Sequence, residues 1–84
     1  MKWRLIWTRA ADRDLDALDR IAAQRILRAL HRFCETGHAD VARIVNTTPP
    51  RRRIRVGPHR IIILIDEDLG EVEIIRIHRR DSAY

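Results

Sequence analysis

A chain of 84 residues, 45% hydrophobic and 35% charged, is sized for one small domain, 1–84, and carries too much apolar content for a disordered chain. Its net charge is +5, and sixteen of its seventeen basic residues are arginine, whose planar donor fork matches phosphate, so the expected partner is anionic. A general arginine bias gives the same excess, so charge alone does not identify that partner. The single cysteine, Cys34, excludes an internal disulfide and fits a reducing compartment. No apolar run approaches the roughly 20 residues that span a bilayer. The opening Met1-Lys2-Trp3-Arg4 lacks the apolar core of a signal peptide. The expected location is the cytoplasm, with no membrane partner.

Lys2 to Trp7 alternates loosely, with Trp3, Leu5 and Trp7 on one side, and is read as a first strand. Thr8 suits a helix N-cap. Ala11, Leu15 and Leu18 then follow at helical spacing, with Asp12, Asp14 and Asp16 toward solvent, predicting an amphipathic helix of about three turns. Asp19 marks a break and a second cap. Ala22, Ile26, Leu30 and Phe33 form the stripe of the next helix, flanked by Ala23, Leu27 and Cys34, with Arg25, Arg28 and Arg32 on its other side. Thr36-Gly37 closes it, glycine being the usual residue just past a helix end. Cys34 is read as a core residue, and His31 and His38 as structural or surface residues.

His38 to Pro50 is the least legible stretch. Val41, Ile44 and Val45 suit a brief strand or an edge contact, and 46–50 a loop. From Arg51 to Arg60 the chain holds five arginines and no acid. Side chains alternate along a strand, so Arg51, Arg53 and Arg55 share one face while Ile54 and Val56 enter a core. The same alternation describes the solvated face of any half-buried sheet. Gly57-Pro58 turns the chain into a second strand, Ile61 to Ile65, and Asp66 to Gly70 makes a polar turn. Glu71 to Arg79 alternates as a last strand. Val72 and Ile74 fall on one face and Ile75 and Ile77 on the other, so a bulge near Ile74-Ile75 is needed to keep all four against the core. The predicted fold class is α+β, in the order β-α-α-β-β-β. A helical hairpin covers one face of a small, mainly antiparallel sheet and leaves the arginine face open.

The pattern Arg53-Ile54-Arg55-Val56-Gly57 with Arg60, the Arg25-to-Leu30 helix segment, and Ile77-His78-Arg79-Arg80 followed by Tyr84 resemble the RelE/ParE superfamily of bacterial toxin–antitoxin toxins. The resemblance covers nearly the whole chain. It implies the RelE-like fold and a cognate antitoxin, a partly disordered segment that folds against the toxin. The superfamily divides by target. RelE-like members cleave mRNA on the ribosome without metal or other cofactor and so inhibit translation; ParE-like members poison DNA gyrase and are not nucleases.

In the nuclease branch, basic residues on the second strand, an arginine opening the third, an arginine ending the last and a terminal tyrosine form the site. By resemblance these are Arg51 and Arg53, Arg60, Arg79 (or Arg80) and Tyr84, with Arg55 and Arg80 as further RNA contacts. Arg60 and Arg79 are expected to clamp the scissile phosphate from neighbouring strands, and Tyr84 to stack on a base or relay a proton. An arginine stays protonated and is no base, so His78 is the better candidate for general acid or base than His59. The acids and histidines show no metal-ligand spacing. An endoribonuclease is therefore the leading expectation and a gyrase-directed toxin the alternative.

Overall fold

A computed structural model describes residues 2–45 and 48–79. Seven elements follow one another: β1 (Arg4–Trp7), α1 (Arg9–Asp16), α2 (Arg20–Thr36), β2 (Val41–Ile44), β3 (Arg51–Val56), β4 (His59–Asp66) and β5 (Glu71–Arg79). The strands form one sheet in the order β1-β5-β4-β3-β2, antiparallel except for the parallel pair β1 and β5. The predicted order gains a strand, because Val41–Ile44 pairs with β3 as an edge strand. Four residues with one arginine among them carry too little alternation to separate a strand from an edge contact.

The helix caps act where the sequence sets them. Asp19 accepts a hydrogen bond from the Ala22 N–H at 2.9 Å, and Gly37 takes φ 77° at the far end of α2, its N–H bonded to the Phe33 carbonyl. Ile26, Leu30, Phe33 and Cys34 of α2 pack onto Ile54, Ile61, Ile63, Val72, Ile74 and Ile77 of the sheet. Burial pushes the Cys34 thiol up from its ordinary pKa, as suits a core residue. Gly57 adopts φ 58°, the left-handed backbone that a two-residue hairpin turn needs, and Val56 thereby meets His59.

α1 is shorter than expected, because Ala17 already caps it. It packs chiefly against β5. β1 covers only the first half of β5, up to the pair Trp7–Ile74, and α1 tends the rest of that edge. Thr8 takes three roles here. Its Oγ1 accepts from the Ala11 N–H at 3.1 Å and lies 2.9 and 3.0 Å from the Ile74 and Ile75 carbonyls, and its own N–H donates to the Ile74 carbonyl.

Asp14, expected to face solvent, turns inward instead. Its Oδ2 accepts from the Ile77 N–H at 2.9 Å and from Arg76 Nε at 2.8 Å. An unpaired strand-edge N–H is costly, and this one recruits the nearest carboxylate.

The Thr8 and Asp14 contacts flank the expected bulge. Ile62 pairs with Arg76 but Ile63 pairs with Ile74, so Ile75 is the extra residue. Val72, Ile74 and Ile77 are buried on the helix side as predicted, while Ile75 itself is only half-buried.

This edge can be probed from both of its polar anchors. Replacing Thr8 with Val removes the cap and the bulge contacts and is expected to cost about 1–2 kcal/mol in a urea titration. Burial alone would raise the Asp14 pKa, but the hydrogen bonds from Arg76 and Ile77 and the charges of Arg76 and His78 hold it below the usual range. A depressed folded pKa gives stability that is present above about pH 4 and lost as pH falls through the folded value. Asp14→Asn should therefore flatten the acid limb of the stability curve and lower stability at neutral pH.

Candidate functional site: an arginine-bearing sheet face

The pleat of the three central strands determines which side chains meet on the face away from the helices. Arg55 pairs with Arg60, and Arg60 pairs with His78, so these three make a cross-strand row. The next row runs Ala42, Arg53, Ile62, Arg76. Arg51 lies on the same face beyond Arg53, in register with Ile44. Ile62 is 4% exposed and forms the apolar floor between the charged side chains.

Two like charges directly opposite one another destabilise a sheet. Arg55 and Arg60 nevertheless stand opposite, with no ion pair to either among the described residues. Arg60 Nε is buried and has no acceptor among them. An unfilled donor of this kind carries a cost that an incoming anion removes.

His78 lies beside this pair. Burial lowers its pKa, the Arg76 charge lowers it further, and the Asp14 carboxylate opposes both, leaving the ring below its usual value. At neutral pH the imidazole is therefore uncharged and able to accept a proton. The family resemblance does not point to Arg76. The bulge at Ile75 carries it to this face, and alternation counted through a bulge is the one signal in the sequence that finds it.

The expected clamp of Arg60 with Arg79 does not form across the sheet. Arg79 pairs with His59, not with Arg60, and the pleat turns both toward the helices. There Arg79 lines a cavity of about 200 Å³ with His59, Arg25 and Asp19 at the start of α2. His59 is 6% exposed, and its Nε2 has no partner among the described residues. The side chain facing Arg60 from β5 is His78. Arg80 and Tyr84 lie outside the described residues, while His31 and His38 are exposed at the surface.

Acids gather at the opposite end of the sheet, where Asp66, Glu71 and Glu73 lie near Leu64 and Ile6. Glu71 forms a surface ion pair with Arg4, a contact that contributes little to stability. The face is thus polarised from basic to acidic along the strands. Among the described residues, no three His, Cys, Asp or Glu gather as metal ligands, and no helix is long and apolar enough to cross a membrane.

Comparison with solved structures gives the same fold. The RelE–RelB complex of Pyrococcus horikoshii contains a chain with TM-score 0.81 and 19% identity, covering 99% of this chain and 100% of that one. The RelBE2 toxin–antitoxin complex of Mycobacterium tuberculosis gives 0.82 and 20%, over 95% and 100%. Free Escherichia coli toxin RelE carrying two arginine-to-alanine substitutions gives 0.70 and 13%, over 96% and 86%. At these identities the likeness is one of fold. No curated protein sequence matches the chain. A family model, described as the ParE toxin of the type II toxin–antitoxin system parDE, matches residues 5–84. The chain therefore belongs to the ParE toxin family, within the RelE/ParE superfamily of type II toxins.

Proposed function

We propose that this toxin is a metal-independent endoribonuclease that cleaves mRNA on the ribosome in the cytoplasm and is held in check by a cognate antitoxin. The observation that carries the reading is the pair Arg55 and Arg60: opposed on an open face, without an ion pair among the described residues, and with one guanidinium nitrogen buried and unfilled. Such a pair suits a phosphate that gains charge during reaction. The neutral His78 takes the proton of the 2′-hydroxyl, whose oxygen attacks the adjacent phosphorus in line. The bond to the 5′-oxygen breaks, leaving a 2′,3′-cyclic phosphate. Arg60 and Arg55 balance the charge on the equatorial oxygens. Arg51 and Arg53 hold the flanking backbone. Tyr84, by its place in the family pattern, stacks on a base or supplies the proton that the 5′-oxygen takes up, and Arg80 adds a phosphate contact.

The solved neighbours named RelE support this reading; the match to a ParE description favours the alternative of a gyrase-directed toxin. The decisive test is induction of the wild type and of Arg60→Ala in growing cells, followed by primer extension on translated messages. Codon-phased cuts that disappear in Arg60→Ala are expected, with cleavage falling roughly 10²–10³-fold as for loss of one oxyanion donor. Arg79→Ala, altered on the other face, should cost less than about tenfold, well short of that loss. Growth arrest without cuts, accompanied by gyrase-linked DNA breaks, would replace the nuclease with the gyrase reading.

Acidity offers an independent check. The folded pKa of His78 lies below about 6.5, so cleavage should rise with pH through a midpoint beneath that value. Removing Arg76 takes away a charge that depresses the ring and leaves Asp14, which raises it. Arg76→Ala should therefore shift the His78 midpoint upward, read from its imidazole proton resonances.

A further inference from the structure

The proposed cleavage site accounts for the arginines of the open sheet face but not for those of α2. Arg25, Arg28 and Arg32 are all exposed, and their spacing of three and four residues sets them in one stripe along the helix. Among the described residues none of the three guanidinium groups has an ion pair or a hydrogen bond. They line a cleft of about 410 Å³ whose other wall is Val56 and Gly57, and no acid lines it. Gly57 belongs to the hairpin turn, and a Cβ built on it would lie 3.7 Å from Arg25 Nη1, so Arg25 rests against the tip of the hairpin.

That tip is where the two basic surfaces meet. Arg55 precedes it on β3 and faces the open side; Val56 and Gly57 follow, and Arg25, Arg28 and Arg32 continue the positive charge on the helix side. The acids of the sheet lie at the opposite end, around the β4–β5 turn. An arginine stripe on a lone solvated helix would normally be interleaved with acids that lower its self-repulsion. The outward positions of this one, from 25 to 32, have none.

We infer that the cleft between α2 and the β3–β4 turn holds the phosphate backbone of the RNA strand beyond the cleaved phosphate, so that the strand bends around the hairpin tip from the sheet face onto α2. The inference rests on the nuclease reading for the identity of the polyanion. It adds a second, non-catalytic contact region whose task is affinity and placement. Arginine suits this, since its fork bonds phosphate oxygens in pairs. Such contacts read charge without sequence and are revealed by salt.

The test uses the full chain and two fluorescently labelled RNAs bearing 2′-O-methyl groups throughout, which block cleavage: one of four nucleotides and one of twelve. Anisotropy is measured across a range of salt concentrations for the wild type, Arg28→Ala/Arg32→Ala and Arg60→Ala. The wild type should bind the longer RNA more tightly. The α2 double variant should lose that advantage, on the order of tenfold at low salt, and its slope of log affinity against log salt should flatten by about 1.4, the value for two single-strand phosphate contacts. Arg60→Ala should weaken both lengths alike. Alanine is a good helix former and both sites are exposed, so an unchanged thermal midpoint verifies folding; Arg28→Lys/Arg32→Lys should restore much of the slope. If the wild type binds RNA and Arg60→Ala weakens it, but the α2 variant keeps the full length advantage and slope, the inference is wrong and the nuclease reading stands. Failure of the wild type to bind either RNA at low salt would overturn the inference, while the nuclease reading stands or falls by the primer-extension test.

Discussion

One extra residue in β5 governs which chemistry this sheet presents. The bulge at Ile75 lets Ile74 and Ile77 both enter the core, and by the same shift it turns Arg76 and His78 to the open face. Strict alternation would have exposed Ile77 and buried the two polar residues. A bulge costs ladder hydrogen bonds and is kept only where something else satisfies the backbone. Here α1 does so from its two ends, through the Thr8 hydroxyl at the Ile74 and Ile75 carbonyls and the Asp14 carboxylate at the Ile77 N–H. The helix that looks like a peripheral cover is therefore what fixes the register of the site.

The sequence discloses this fold well wherever periodicity and capping agree. Thr8, Asp19 and Gly37 are legible as helix boundaries because each supplies an oxygen or a backbone angle that few other residues supply. The bulge is legible because Ile74 and Ile77, three residues apart, cannot otherwise face one core. What stays hidden depends on contacts remote in sequence. Asp14 reads as one solvent-facing acid among three until β5 brings an unpaired N–H beside it, 63 residues away. The edge strand Val41–Ile44 is defined only by its pairing with β3. Arg60 and Arg79 fall on opposite faces for a plain geometric reason: a motif gives order along the chain, whereas the pleat assigns faces, and Arg79 falls one residue out of phase with Arg60.

Opposed arginines and an unfilled guanidinium nitrogen store unfavourable energy in a domain that has little to spare, since a chain of this size buries only about 60–65% of its unfolded surface. The isoleucines directly beneath, Ile54, Ile61 and Ile63, are fully buried and hold the strands regardless of that repulsion. Core and charged face are thus coupled residue by residue: Ile54 of β3 and Ile61 and Ile63 of β4 bind the sheet together, while Arg53, Arg55 and Arg60 between them face the other way. Stability and electrostatic frustration share one pair of strands.

The parallel pairing of β1 with β5 has a consequence for the order in which the protein comes into being. Arg4 is matched with Glu71, so the first strand to leave a ribosome has no neighbour until the last strand has been translated. His78 is made still later than Glu71, and the row that it completes with Arg55 and Arg60 cannot exist in any nascent chain that stops short of it. A protein whose proposed target is the translating ribosome cannot, by its topology, assemble this face until β5 has itself been translated.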